Sequence, residues 1–280
     1  MEEEMLQITT KQEGAELTSI KLNGKEKLHD GKEYWNRQAP ILFPIVGKLK
    51  DNKTIIEDQT YEMGQHGFAR DMKFECIKDK ENIKEYKLKE NEETLKMYPY
   101  KFELYVKYQV KEDTLIVSYE VENTDNKNIF FGIGGHPAFK CDYSNCKYSI
   151  EFEKEEDEIG ILELENGLIS KARVKEEILT NNKIILNENS FENDAIIMQN
   201  IKSNKIYLKE DEKTILEFDF TGFPYLAIWS KKGAPFVCIE PWYNIADHKE
   251  SSGIFEEKKK IIGINPKEKF KCKYKIKFYE

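Results

Sequence analysis

The chain has 280 residues, 39% hydrophobic and 34% charged, with 44 basic and 52 acidic side chains intermixed along its length. Its 16 phenylalanines and 15 tyrosines supply enough apolar surface for a folded core, which excludes a disordered chain. A formal charge of -8 without a basic face argues against a nucleic-acid partner, and no stretch nears the ~18 consecutive apolar residues of a membrane helix.

The opening MEEEMLQITT lacks the positive start and apolar run of a secretory leader. Residues 81–93 suit a helix, an exposed loop or an edge strand equally, because their charge hides any period. Next come LYVKYQV (104–110) and TLIVSYEV (114–121), which alternate with period two on either side of the turn residues KED. Stretches 148–152, 206–208, 215–220 and 271–278 alternate in the same way. In the last of these, Cys272, Tyr274, Ile276 and Phe278 share one face and lysines the other. That pattern reads as a half-buried strand with a solvated lysine face rather than a basic binding site. The acidic run 151–160 reads as a solvated loop or edge, not a domain boundary. With no repeat and no linker, the expected architecture is all-β, one domain over 1–280 built of stacked sheets. Such sheets offer a broad concave face on which side chains of several strands converge.

Five cysteines (Cys76, Cys141, Cys146, Cys238 and Cys272) form no CxxC pair and are odd in number. They read as reduced thiols of a cytoplasmic protein, although Cys141 and Cys146 bracket a short turn that a bond could close.

Polar residues stand in unusually apolar, Gly/Pro/aromatic surroundings in four places: 39–51, 65–72, 132–139 and 235–248. In PFVCIEPWYNIADH, Glu240 follows a buried-strand run, Pro241 is expected to stop the strand pairing, and Trp242 offers a flat surface. A carboxylate there is partly desolvated, which raises its proton affinity toward that of a general base; a structural salt bridge is the plainer alternative. In QHGFARDM, His66 and Arg70 project to one side if the segment is extended. They pair a group titrating near neutrality with a fixed fork of donors, or else are a core histidine and a surface Arg–Asp71 pair. In GIGGHPAF, the glycines let a ligand or another strand approach the backbone beside His136, unless the segment is only a bulge.

A metal set of His66, His136 and Glu240 has the right residue types, but no local pair such as HxH or HxxxH fixes two ligands, so no metal is expected. No GxSxG elbow marks a serine hydrolase, and GIGG lacks the phosphate-loop pattern.

Taken in order, EGAELTSIKLNGKEKLHDGKEYW (13–35), APILFPIVGKLKD, QHGFARDM, GGHPAF, FENDAI (191–196), GFPYLAIWS (222–230), CIEPWYNIAD (238–247) and the closing INPKEKFKCKYKIKF resemble the aldose 1-epimerase (galactose mutarotase) family, in its LacX-like branch. The resemblance spans nearly the whole chain. It implies a large antiparallel β-supersandwich, a hexose or hexose phosphate on its concave face, and neither metal nor cofactor. The implied reaction interconverts α and β anomers by acid–base ring opening and reclosure. By matching motif, Glu240 resembles the general base, His136 the acid at the ring oxygen and His66 a second histidine that stabilises charge there. Asp194 resembles the carboxylate that binds sugar hydroxyls. Arg70 is expected to contact substrate, and Trp229 and Trp242 to shape the site.

Where the classical galactose mutarotases carry an arginine, this chain reads GKLKDNK, so Lys48 and Lys50 keep the charge but lose the bidentate fork. Sugar preference is therefore open. Rival readings are a hexose-6-phosphate 1-epimerase using Arg70, Lys48 and Lys50, and a non-catalytic sugar-binding or sensor protein. A third is a glycoside hydrolase or lyase with Glu240 and Asp194 as paired carboxylates. Both a monomer and a homodimer fit the sequence.

Overall fold

Period-two alternation builds two large antiparallel sheets in the computed structural model, which describes residues 6–157, 159–174 and 179–280. Residues 1–5, on which the leader argument rests in part, and Glu158 of the acidic run lie outside the described residues. One sheet has nine strands, in the order Lys183–Leu186, Tyr148–Phe152, Lys205–Glu210, Lys213–Asp219, Lys269–Phe278, Thr114–Asn123, Phe102–Lys111, Ile83–Lys89 and Glu75–Lys80. Lys269–Phe278 sits at its centre, hydrogen-bonded to Lys213–Asp219 on one side and Thr114–Asn123 on the other. Its Cys272, Tyr274, Ile276 and Phe278 are buried. Its lysines pair across the strands: Lys269 and Lys271 with Glu120, Lys275 with Asp219, and Lys277 with Asp113. Exposed pairs of this kind contribute about 0–1 kcal/mol each, so the lysine stripe is a charge-balanced solvated face.

Residues 81–93 contain no continuous helix. Ile83–Lys89 is a strand, and a capping box between Asn91 and Thr94 then starts the helix Glu92–Met97. The acidic run is the connection from Tyr148–Phe152 to Gly160–Glu165. All five cysteines are free, with Cys141 buried and Cys146 half-buried.

The second sheet has eight strands. Its order is Leu168–Val174, Gly160–Glu165, Ile196–Gln199, Tyr225–Trp229, Phe236–Trp242, Gly134–Gly135 and Ile41–Leu42, and Ala138–Lys140 also pairs with Phe236–Trp242. Phe236–Trp242 is buried along its whole length. Val237 and Ile239 join the main core with Phe102, Val106, Val117 and Ile276 of the nine-stranded sheet. The alternate residues Phe236, Cys238, Glu240 and Trp242 therefore project from the opposite face, toward Trp35 and Trp229 in the case of Phe236 and Cys238.

Pro241 does not end this strand, contrary to the expectation above: it pairs with Leu226, and Trp242 pairs with Tyr225. On the other edge Ile239 donates its N–H to the Pro137 carbonyl and Tyr243 donates to Ile133. Pro241, midway between these donors on the same edge, has no N–H to give. Opposite that missing donor Gly134–Gly135 and Ala138–Lys140 separate, and His136 sits in the gap.

Candidate active site

Main-chain hydrogen bonds stitch the four apolar stretches into one structure. Ile41–Leu42 pairs with Gly134–Gly135, and Gly132 donates to the Pro44 carbonyl at 2.6 Å. The Phe43 carbonyl accepts from the N–H groups of Phe68 and Ala69, and Gly47 accepts from the His66 N–H at 2.8 Å. Asp247 donates to the Lys48 carbonyl, and its Oδ2 accepts from the Lys50 N–H. The other oxygen of Asp247 lies 2.7 Å from Nζ of Lys258, and both side chains are nearly fully buried. This clasp holds Ala246 against Gly47, where a Cβ would fall 2.7 Å from the Ala246 backbone nitrogen.

The glycines of GIGGHPAF serve protein packing. A Cβ on Gly134 would lie 2.7 Å from Cδ1 of Trp242, and one on Gly135 would lie 2.8 Å from the Tyr274 hydroxyl. Of the two possibilities open in the sequence, the close partners here are a strand and a tyrosine. Gly134→Ala is accordingly expected to displace the Trp242 indole and destabilise the fold by about 1–3 kcal/mol in urea denaturation.

His136 emerges from this packed segment among aromatic rings. Its centroid is 4.8 Å from that of Trp35, 5.9 Å from Trp229 and 5.7 Å from His66, while Trp242 lies 6.3 Å from His66. All three tryptophans of the chain thus surround the two histidines. Together with Gln65, Arg70, Asp194 and Glu240 they line a cleft of about 310 Å³, within the range of small-molecule sites. Glu240 is 1% exposed, and His66 and His136 are 7% exposed.

Nε2 of His136 stands 3.2 Å from Oε2 of Glu240. No fixed cation offsets the burial of this pair. Burial pushes the Glu240 carboxyl well above the ordinary carboxylate range; the Trp242 indole opposes that in part and Asp194 adds to it. Burial also pulls His136 down to about 3, with Arg70 and Arg37 adding to the effect. Burial thus disfavours the charged form of both partners.

His66 has its tautomer fixed. The Gly47 N–H donates to Nδ1 at 3.0 Å, so the ring proton sits on Nε2. The Gln65 amide nitrogen, itself a donor, stands 3.4 Å from that atom, so it would accept the proton only with its amide turned to present the oxygen. Burial and the neighbouring His136, Arg70 and Arg37 hold His66 well below 6.5. It is thus an uncharged N–H donor. His66→Ala would leave the Gly47 N–H without an acceptor, an expected cost of about 1–3 kcal/mol. His66→Asn restores an acceptor and should recover part of that stability. Urea denaturation of both variants checks this order.

Four of the eight buried side-chain polar atoms that lack a hydrogen bond among the described residues belong to this cleft: Arg70 Nε, His136 Nδ1, Glu240 Oε2 and Trp242 Nε1. Buried groups are ordinarily satisfied, so such a concentration is what a polyhydroxylated ligand would complete. Arg70 is anchored by donating from Nη2 to the Gln65 carbonyl at 2.7 Å. Asp194 lies exposed on the cleft wall in a left-handed turn (φ 73°), with Oδ1 accepting from the next N–H. Lys48 does not itself line the cleft but packs behind Gly167, which does, and its Nζ donates to the Asn166 carbonyl at 3.3 Å.

Sequence reasoning about the site missed Trp35 and Gln65. Gln65 adjoins His66 and was within reach of the same argument, whereas Trp35 lies in a polar stretch whose spacing carries no signal. For a metal, the residues that come together are His136, Cys238 and Glu240, whose ligand atoms lie within 4.8 Å of one another. That set differs from the His66-containing one weighed above. Burial holds the Cys238 thiol well above its ordinary value, so proton loss there would oppose metal binding.

A sandwich of large antiparallel sheets with an open acid–base cleft on one sheet defines the class of galactose mutarotase-like proteins, and solved structures of that class match it closely. The chain belongs to the aldose 1-epimerase family, whose model matches residues 1–255. It is 33% identical to the chromosomal protein LacX of Lactococcus lactis subsp. lactis, over 99% of this chain and 97% of that protein. A galactose mutarotase related enzyme from Lactobacillus acidophilus superposes with a TM-score of 0.92 at 29% identity, covering 100% of this chain and 96% of that one. A galactose mutarotase-like protein from Lactobacillus casei ATCC 334 gives 0.90 at 27% identity, covering 100% and 98%.

Proposed function

We propose that the protein is a cytoplasmic aldose 1-epimerase that interconverts the α and β anomers of a neutral hexose, with residues 1–280 acting as one catalytic domain. The observation that carries this reading is the buried Glu240–His136 contact of 3.2 Å in a cleft of unsatisfied polar atoms. A binding protein does not need an acid–base pair.

The anomeric hydroxyl and the ring oxygen share one carbon, so groups that touch each other can serve both. In the reacting form Glu240 is a carboxylate and His136 an imidazolium, a charge separation that sugar hydroxyls hydrogen-bonded to the cleft's open polar atoms would support against burial. Glu240 then takes the C1 hydroxyl proton while His136 delivers its proton to the ring oxygen, and the C1–O bond breaks to leave an aldehyde. The Nε2–H of His66 steadies charge on the departing oxygen. Rotation about C1–C2 turns the other face of the aldehyde to the ring hydroxyl. The same transfers in reverse close the other anomer. Asp194 and Arg70 hold the remaining hydroxyls, and the tryptophans cover the carbon face of the ring.

A neutral sugar is favoured over a phosphorylated one because, among the described residues, Arg70 is the one arginine or lysine lining the cleft, and the Lys48 ammonium is turned to the Asn166 carbonyl. Polarimetry or NMR exchange with α-glucose, α-galactose and glucose 6-phosphate tests this reading. Acceleration of a neutral hexose beyond that of the phosphate is expected. Saturable binding without acceleration of any of them would mark a sensor and overturn the enzymatic reading.

A further inference from the structure

Asp247 and Lys258 form a buried ion pair that the mechanism above leaves unused. Neither lines the cleft, and both side chains are 4% exposed or less. A buried ion pair seldom adds stability over apolar packing of the same volume, so its presence here calls for another reason.

That reason lies in where Asp247 directs its polar groups. Its N–H donates to the Lys48 carbonyl at 2.9 Å, and its carbonyl accepts from the Ile169 N–H at 2.8 Å. Its Oδ2 accepts from the Lys50 N–H at 3.0 Å and its Oδ1 from Nζ of Lys258 at 2.7 Å. Lys258 is fixed in turn by donating to the Ile245 carbonyl at 2.6 Å. The backbone of residues 48–50 is thus gripped at both ends by one side chain and its own main chain. Gly47 directly precedes that grip, and His66 hangs on Gly47 from two sides. The Gly47 N–H donates to Nδ1 of the imidazole at 3.0 Å, and the Gly47 carbonyl accepts from the His66 N–H at 2.8 Å. Gly47 and His66 both sit at positive φ, 73° and 66°. For a histidine that is a conformation its surroundings must hold.

We propose that Asp247, held by Lys258, is a positioning residue for His66. By fixing residues 48–50 it sets the Gly47 peptide, and that peptide sets which imidazole nitrogen carries the proton and where it points. A carboxylate suits the task because its two oxygens accept from two donors at once. A carboxamide has one oxygen and must turn its NH₂ toward either Lys50 or Lys258. The catalytic use of His66 rests on the mutarotase reading above; its positioning is read without turnover.

The test uses the full-length protein and two variants, Asp247→Asn and the pair Asp247→Ala with Lys258→Met. The second removes both charges together, so that neither is left buried alone; should it not fold, the isosteric Asp247→Asn carries the test. Long-range ¹H–¹⁵N NMR of the imidazoles, with His66 assigned by comparison with His66→Ala, is expected to show a bare Nδ1 and a protonated Nε2 in wild type. Both tautomers are expected in the variants. In anomer exchange of α-glucose or α-galactose, kcat is expected to fall about tenfold with KM held within about twofold. Made in the His66→Ala background, the same changes are expected to alter kcat by no more than about twofold. A purely structural role would lower stability without moving the tautomer. If the folded variants keep the single wild-type tautomer, or if kcat falls as far in the His66→Ala background, the positioning role is refuted and the mutarotase reading stands. If wild-type protein accelerates no sugar, the mutarotase reading fails and the tautomer spectra alone decide the positioning.

Discussion

Glu240→Gln is expected to slow anomer exchange by about 10²–10⁴-fold, the contribution of a well-placed general base, with KM little changed. The carboxamide keeps the shape of the side chain and its place beside His136 but cannot take the C1 hydroxyl proton. His136→Ala should reach a similar loss by removing the proton donor to the ring oxygen. Because the two act as a unit, the double variant should be little slower than either single one. Stopped polarimetry on an α-hexose reads all three. If Glu240→Gln retained turnover within about threefold of wild type, Glu240 would not be the base.

The same site is expected to make stability depend on pH in two opposite senses. His66 and His136 are held below 6.5 in the folded protein, so below that pH the unfolded chain binds two protons that the folded site refuses. Stability is then fully present above 6.5 and falls as the pH drops, by up to about 1.4 kcal/mol per pH unit for each imidazole. Glu240 acts in the opposite sense, because its folded value is raised above 4.5. Its contribution is complete below the unfolded value and is lost as the pH rises toward the folded one. In urea unfolding of wild type, stability should fall as the pH drops below 6.5. Glu240→Gln should flatten the alkaline side and be the more stable protein there, a trade of activity against stability. Superimposable alkaline limbs would show that Glu240 ionises normally in the folded state.

Much of this was legible in the sequence, for physical reasons that differ by region. Half-buried strands such as Lys269–Phe278 expose one face to water, and their alternation survives translation into letters. Phe236–Trp242 is buried on both faces, so its sequence gave length and burial but not which residues face the cleft. Pro241 misled because a proline rule about lost donors assumes that the edge has an acceptor waiting, and here the neighbouring strand breaks at that point. Residues 81–93 were ambiguous because charge covers both a strand edge and a helix start; only the Asn91 and Thr94 cap divides them. Glu240, His136, His66 and Arg70 stood out as polar residues in apolar company. Lys48 stood out for its charge alone, and its ammonium goes to a carbonyl elsewhere. Trp35 carried no spacing signal because its role is set by a ring contact made across the chain.

The central strand of the nine-stranded sheet has a consequence for how the molecule is made. Lys269–Phe278 lies beyond the 1–255 match to the family, yet it joins four strands on one flank to four on the other. During synthesis both flanks emerge first, each presenting a naked edge with a row of unpaired main-chain groups. They can neither close on each other in native register nor seal the core until this keystone segment has left the ribosome. Lys258, the counterion that holds Asp247 and through it Ala246 and Gly47, is also made late. The cleft histidines are thus complete in covalent terms well before Lys269–Phe278 gives them a rigid floor, and in the interval the two open edges are the part of the chain most exposed to aggregation.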